Sequence, residues 1–102
     1  MAEPPARWFL SRLAQLDFDE VWEHVASYSG EARADTAVDR VTQRLLTLAE
    51  HPYSGRRREE LGAGWRSAAA PPFVIYYRAT PGGVYVQRII HGRRDQDAAL
   101  FG

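Results

Sequence analysis

Residues 73–91 read FVIYYRATPGGVYVQRIIH, and this stretch decides the fold. Its two halves, residues 73–79 and 84–91, are dense in β-branched and aromatic side chains, which favour strands. The intervening Thr80-Pro81-Gly82-Gly83 has the length and composition of a β-hairpin loop. Apolar side chains occupy alternate positions in both halves and also positions between them. We therefore expect an antiparallel hairpin at the centre of a sheet that is covered on both faces.

Two further strands are predicted outside this hairpin. Residues 65–70 form a third strand, which follows a polar loop at residues 53–64, and Pro71-Pro72 breaks the sheet between this strand and the hairpin. Near the N-terminus, residues 6–11 form a short apolar run after Pro4-Pro5. A run of this length that begins after prolines is typical of an edge strand.

Between the first strand and the loop, the hydrophobic period changes to that of a helix. A first helix is predicted from about Leu13 to Ser29-Gly30, with Ser11 as its N-cap. Asp17 followed by Glu20 resembles a capping box and is an alternative start. The apolar stripe of this helix is predicted to contain Leu13, Leu16, Val21, Trp22, Val25 and Tyr28.

A second helix is predicted from Glu31 to Glu50, where His51-Pro52 ends it. Because the connection between the two helices is so short, we expect them to form an antiparallel hairpin. The apolar stripe of the second helix contains Ala34, Val38, Val41, Leu45 and Leu48.

The predicted element order is β-α-α-β-β-β, an α+β fold in which the helical hairpin packs on one face of a small, mostly antiparallel sheet. The chain has 102 residues and contains no internal repeat or low-complexity linker. We therefore expect one domain over residues 1–102. Residues 92–102 are charged first and then apolar, and they form a predicted C-terminal tail.

Composition excludes several classes of protein. No stretch approaches the roughly 18 apolar residues of a membrane span, and the N-terminus lacks the pattern of a signal peptide. The chain has no Cys, which excludes disulfides and thiolate chemistry. These features predict a cytoplasmic protein without a membrane partner.

The charges are divided along the chain. The formal net charge of 0 combines a first half, residues 1–50, at −4 with a second half, residues 51–102, at +4. Every basic residue is Arg, so the basic half carries planar, permanently charged guanidinium groups. A sequence-specific DNA-binding chain is typically basic throughout, so we do not expect this protein to read DNA directly.

Motifs of catalysis are sparse. The three histidines, His24, His51 and His91, fall on different predicted elements without metal-ligand spacing. The sequence has neither a nucleophile elbow nor a phosphate-binding loop. We therefore predict no metal and no cofactor.

Arginine supplies the candidate binding residues. Three of them occupy the loop, one falls on each of three predicted strands, and two follow the last strand. Arg88 lies within an otherwise apolar run, so we expect its side chain to be half-buried and paired. Together these arginines can line one side of the sheet and accept carboxylates or phosphates, and the alternative is an ordinary solvated surface. The set comprises Arg56, Arg57, Arg58, Arg66, Arg78, Arg88, Arg93 and Arg94.

Several motifs, taken in order along the chain, resemble the RelE/ParE superfamily of bacterial type II toxins, and its ParE branch in particular. Each motif alone is weak, but together they cover nearly the whole chain in the order of the predicted elements. The motifs are LDFDEVWEHVA at residues 16–26, LxxLAEHPxxGR at 45–56, ELGxGxRS at 60–67, IYYR at 75–78, RIIHGRRD at 88–95 and LF at 100–101.

This resemblance implies a small toxin that a cognate antitoxin keeps inactive, with a disordered antitoxin segment folding on the toxin as it binds. ParE-like members are associated with inhibition of DNA gyrase, whereas RelE-like members cut messenger RNA on the ribosome. RelE-like enzymes use lysines and a C-terminal Tyr or His. This chain has no Lys and carries Phe101 in its tail, so we favour a non-catalytic gyrase inhibitor.

Two alternatives stay open. As a ribonuclease, the chain would use His91 as proton acceptor with Arg66 and Arg88 as charge stabilisers. As an inactive member of the family, it would act only as a binding module. In the favoured hypothesis the arginines, His91 and Phe101 contact the target or the partner.

Overall fold

A computed structural model describes residues 7–92. Two helices, α1 (Arg12–Ser29) and α2 (Glu31–Glu50), follow the strand β1 (Arg7–Leu10). Three strands come after the loop: β3 (Arg66–Ala70), β4 (Phe73–Thr80) and β5 (Gly83–His91). The predicted α+β architecture is confirmed, and each predicted strand is found within two residues of its expected ends.

The loop contains structure that the sequence did not predict. Arg56–Arg57 form a two-residue strand, β2, and Glu59–Leu61 form a short 3-10 helix. The sheet order is β1-β5-β4-β3-β2, so the predicted hairpin lies at the centre of five strands. All pairings are antiparallel except that of β1 with β5, which is parallel.

Pro71-Pro72 does not break the sheet, which corrects the prediction. Ala70 pairs with Phe73, so the two prolines form the tight turn of a hairpin whose strands stay in register. Proline has no backbone N–H to donate, and the turn positions between these two strands do not need one.

The helices pack side by side on one face of the sheet, and the core lies between these layers. In α2 the predicted stripe is confirmed: Ala34, Val41, Leu45 and Leu48 are buried, and Val38 packs against the core cluster. In β4 and β5 the side chains under the helices are Phe73, Ile75, Tyr77, Val84, Val86 and Ile89.

In α1 the predicted stripe is partly wrong. Val21 and Val25 are buried, but Leu13 and Leu16 are about half exposed and Tyr28 is 82% exposed. The buried face instead begins at Ala14, because Ser11 caps the helix by accepting a hydrogen bond from the Ala14 backbone N–H. Ser11 therefore fixes the rotation of α1 about its axis where the chain leaves β1. As a result, Leu13 and Leu16 in the first turns point outward.

In the described residues, neither helix is long and apolar enough to span a bilayer.

Candidate functional site

The face of the sheet that points away from the helices carries part of the predicted arginine set. Tyr77 lies under the helices, so its neighbour Tyr76 points to the opposite face, which we call the distal face. Residues paired across neighbouring antiparallel strands share a face. Arg56 therefore joins Ser67 and Tyr76 on the distal face.

Arg58 is fixed on the distal face by three neighbours. Its guanidinium carbon lies 5.3 Å from the centre of the Tyr76 ring. Its Nη1 donates to the Ser67 hydroxyl at 3.2 Å, and its Nε pairs with a Glu60 carboxylate oxygen at 3.0 Å. Glu60 thus supplies a counter-charge to Arg58 within the loop. Burial by itself lowers the pKa of Arg58, but hydrogen bonds to Glu60 and Tyr76 outweigh it and raise that pKa.

Arg78 presents its charge to solvent on the same face. Its guanidinium carbon lies 4.9 Å from the centre of the Trp65 ring, and the side chain is exposed. Tyr85 of β5 pairs with Arg78. Phe9 of β1 in turn pairs with Tyr85, and 53% of the Phe9 surface is exposed. A cation held over an aromatic ring keeps its charge while losing rotamer freedom. This row therefore places an ordered, exposed guanidinium beside aromatic side chains on the distal face.

Arg66 and Arg57 do not belong to this face, which corrects the prediction that the arginines line one side. Arg66 pairs with Tyr77 and so points to the helix side of the sheet. Its Nη1 donates to the backbone oxygens of Tyr53, at 3.0 Å, and Gly55, at 2.8 Å. These bonds hold the loop after α2 in place, so the guanidinium of Arg66 has a structural role. Arg57 pairs with Arg66 in register and is exposed at the sheet edge.

Arg88 is paired, as predicted from its apolar surroundings. Its Nε and Nη2 donate to the two carboxylate oxygens of Asp17 in α1, at 2.7 and 3.0 Å. The hydrogen bond to Asp17 raises the pKa of Arg88. Asp17 also accepts the backbone N–H of Ile89 at 3.0 Å. β1 pairs with β5 only as far as Val86, so Asp17 takes over the edge of β5 where β1 has ended.

His91 lies away from the distal arginines. Its ring packs against His24 of α1, with ring centres 5.1 Å apart, and against Phe73 at 5.7 Å. It shares with Arg88 a cavity of about 110 Å³ that the carboxylates of Asp17 and Glu20 also line. Asp17 pairs with Arg88, so the guanidinium in this cavity already has a carboxylate partner, and Glu20 is a second carboxylate beside it.

The ribonuclease hypothesis needs His91, Arg66 and Arg88 around one phosphate. The structure does not assemble that set, because Arg66 binds the loop on the far side of β4 and Arg88 binds Asp17. Arg93, Arg94 and Phe101 lie outside the described residues. Their predicted contacts stay predictions.

Sequence reasoning missed Asp17, Trp65 and Tyr76 as parts of these surfaces. Asp17 was recognised only as a helix-start residue, and nothing in its neighbourhood points to a partner 71 positions away. Tyr76 had a usable signal: adjacent aromatic residues in a central strand must point to opposite faces. Across residues 7–92, no three His, Asp or Glu side chains are arranged to hold a metal ion.

Comparisons with known proteins agree with the fold and the motifs. A family model described as "ParE toxin of type II toxin-antitoxin system, parDE" matches residues 9–96. A curated relative from Caulobacter vibrioides, Toxin ParE1, is 33% identical over 93 residues, covering 89% of this chain and 94% of the relative. Toxin ParE1 of Mycobacterium tuberculosis (strain H37Rv) is 29% identical over 96 residues, covering 93% and 98%.

A solved structure described as "Chromosomal ParDE TA system from P. aeruginosa" has the same fold. It superimposes with a TM-score of 0.70 at 21% sequence identity. The match covers 85% of this chain and 96% of that one.

Proposed function

Because this chain belongs to the ParE toxin family of type II toxin–antitoxin systems, we propose that it inhibits DNA gyrase in the cytoplasm and that a cognate antitoxin holds it inactive. The observation that carries the choice of surface is Arg78, exposed and ordered over Trp65 on the distal face. Arg56, which is exposed, extends the positive charge of this face across the sheet, whereas the charge of Arg58 is paired with Glu60. Gyrase works on DNA, so its working complex offers phosphates as well as protein carboxylates to guanidinium groups.

The mechanism we propose is binding rather than bond cleavage. Stabilising a phosphate that is being cleaved needs positive charge beside a proton-transfer group. Here the distal arginines lie on one face, and the imidazole of His91 packs against α1 on the other side of β4 and β5. The geometry therefore favours a gyrase inhibitor over a messenger RNA endonuclease.

A supercoiling assay with purified gyrase tests the proposal. Wild-type protein should block supercoiling or accumulate cleaved DNA, and Arg78→Ala should raise the concentration needed by about tenfold, as expected for losing one charge-assisted contact. Arg33→Ala, which removes an exposed guanidinium from α2, is the matched control and should leave inhibition unchanged. Unaffected supercoiling at excess wild-type protein contradicts the gyrase target. Transcripts cut at ribosomal sites after induction would favour the endonuclease.

A further inference from the structure

Three aromatic side chains and one guanidinium form a row that crosses the distal face. Phe9 of β1 pairs in register with Tyr85 of β5, and Tyr85 pairs with Arg78 of β4. The guanidinium carbon of Arg78 lies 4.9 Å from the centre of the Trp65 ring. We call Phe9, Tyr85, Arg78 and Trp65 the aromatic row.

The aromatic row is accessible from the distal side. The residues on either side of Phe9 and of Tyr85 in their strands pack in the core, so these two rings point away from the helices. The surface of Phe9 is 53% exposed, Tyr85 is half-buried and Arg78 is exposed. Neighbouring strands lie about 4.8 Å apart, so the row presents two rings and a cation at short, regular intervals.

The ring of Trp65 is fixed in place. A Cβ at Gly62 would lie 2.6 Å from the Cδ1 atom of Trp65, so the indole packs against the backbone of a glycine. Arg78 contacts the same indole. A ring and a cation that are already held lose little conformational freedom when a ligand binds.

The strands around the aromatic row carry positive charge. The five strands that the structure describes contain no acidic residue. Arg7 lies two positions before Phe9, on the same face, and is exposed in the edge strand β1. Arg56 is exposed on this face in β2, at the other edge of the sheet. A ligand that crosses the sheet along the row therefore meets guanidinium groups at both edges.

This combination fits single-stranded nucleic acid better than a duplex or an acidic peptide. Unpaired bases stack on exposed aromatic rings, and phosphates bind guanidinium groups. In a duplex the faces of the bases are already stacked, so a duplex can use the arginines but not the rings of Phe9 and Tyr85. A carboxylate can pair with Arg78, but it has no ring to stack on its neighbours.

We propose that the aromatic row binds single-stranded DNA without sequence preference, with bases stacked on Phe9 and Tyr85 and a phosphate bound to Arg78. Stacking tolerates any base, so the inference agrees with the expectation that this chain does not read DNA sequence. The inference deepens the proposed function and rests on it for its setting, because DNA that is cut or locally melted exposes unpaired bases.

Fluorescence anisotropy with a fluorescein-labelled oligo(dT) of about twelve nucleotides, in about 0.15 M salt, tests the row on the intact protein. Phe9→Leu and Tyr85→Leu each remove a ring but keep an apolar side chain, and each should weaken binding ~10-fold. Tyr28→Leu, which removes an 82% exposed ring from α1, is the matched control and should leave the affinity unchanged. A duplex of the same length should bind at least ~10-fold more weakly than the single strand, and Phe9→Leu should not change its affinity.

A salt series separates stacking from charge. Arg78→Gln should reduce the slope of log affinity against log salt by ~0.7, the contribution of one phosphate of a single strand. Phe9→Leu should leave that slope unchanged, because stacking on an apolar ring releases no counterions.

Four outcomes would overturn the proposal. They are oligo(dT) affinity that survives Phe9→Leu, equal affinity for duplex and single strand, equal losses in Phe9→Leu and Tyr28→Leu, and a preference of ~10-fold for oligo(rU) over oligo(dT). Because Phe9 is largely exposed, these outcomes stay decisive even if Tyr85→Leu fails to fold.

The supercoiling assay separates this inference from the proposed function. Phe9→Leu should raise the concentration needed to inhibit gyrase by about the factor by which it weakens oligo(dT) binding. If the wild-type protein binds oligo(dT) through the row but leaves supercoiling unaffected, gyrase inhibition fails and the inference stands. If the wild-type protein inhibits gyrase without binding oligo(dT), the inference fails and the proposed function stands.

Discussion

Tyr77 joins the centre of the sheet to the loop after α2. Its side chain is fully buried, and its hydroxyl accepts the Gly55 backbone N–H and donates to the Pro52 oxygen, both at 2.9 Å. A Cβ at position 55 would collide with that hydroxyl, so the loop can close only on glycine. Burial raises the pKa of Tyr77 above its ordinary value of 10.0.

Tyr77→Phe should lower the free energy of unfolding by about 1–2 kcal/mol at pH 7, because the Gly55 N–H loses its buried acceptor. In the wild type, the unfolded chain releases the Tyr77 proton near pH 10 while the folded chain still holds it. Stability should therefore fall as pH rises above 10, and less steeply in Tyr77→Phe. Urea unfolding at pH 7 and at high pH measures both effects. Tyr28→Phe, at an 82% exposed position, is the control, and an equal loss in that variant would contradict the assignment.

The pair of Asp17 with Arg88 yields a second residue-scale prediction. Their side chains are 14% and 13% exposed, so solvent screens them weakly. Asp17→Asn removes the charge and weakens the support of the β5 edge, and it should destabilise the fold by about 2–3 kcal/mol in urea unfolding. Asp19→Asn makes the same change at an exposed position of α1 and should shift the midpoint little. Equal midpoints for the two variants would show that the pair does not stabilise the fold.

At the scale of elements, prediction succeeded where burial follows a single period. The stripe of α2 repeats every three or four residues from Ala34 to Leu48, and one face of a helix can satisfy that pattern in only one way. In α1 the apolar residues Leu13 and Leu16 compete with Ala14 for the buried face, and the cap at Ser11, together with packing on the sheet, decides between them. Such a choice depends on tertiary contacts that local spacing does not contain.

The candidate site was harder to predict than the fold. Eight arginines were recognised, but which face each occupies depends on strand register and on partners far away in sequence. Arg88 was correctly expected to be paired because its neighbours are apolar. The sequence did not indicate that the backbone oxygens of Tyr53 and Gly55 accept hydrogen bonds from Arg66, because backbone acceptors in a loop have no characteristic residue pattern.

The junction between α1 and α2 is a single residue, Gly30, with φ +88° and ψ 168°. That conformation is essentially restricted to glycine. Gly30→Ala should therefore cost about 1–3 kcal/mol, although no neighbouring atom would touch the new methyl group. Thermal unfolding measures the loss. The adjacent change Ser29→Ala adds no backbone strain and should be nearly neutral, so a similar loss in both variants would exclude strain as the cause.

For the whole molecule, the two layers carry opposite charge. The five strands contain six arginines and no acidic residue, whereas the two helices contain eight acidic residues and four arginines. Opposite faces of one small protein therefore attract partners of opposite sign. This arrangement explains how a chain with a net charge of 0 can still present a basic surface.

This separation predicts how non-specific binding to a DNA duplex depends on salt. Replacing Arg56 and Arg78 together with Gln should reduce the slope of log affinity against log salt by ~2, since each lost phosphate contact contributes ~0.9. The control replaces Arg12 and Arg33, which lie on the helices, with Gln and changes the net charge by the same amount. Fluorescence anisotropy over a salt series gives both slopes. Equal slopes for the two double variants would mean that net charge, and not the distal face, governs binding.

The pairing of β1 with β5 also affects synthesis of the protein. The ribosome synthesises β1 before β5. β1 therefore has no strand partner until both helices and the three other strands have been made. Until then the sheet is incomplete, and a basic face that depends on it has no fixed shape. Any activity that requires that face can begin only after β5 has been synthesised.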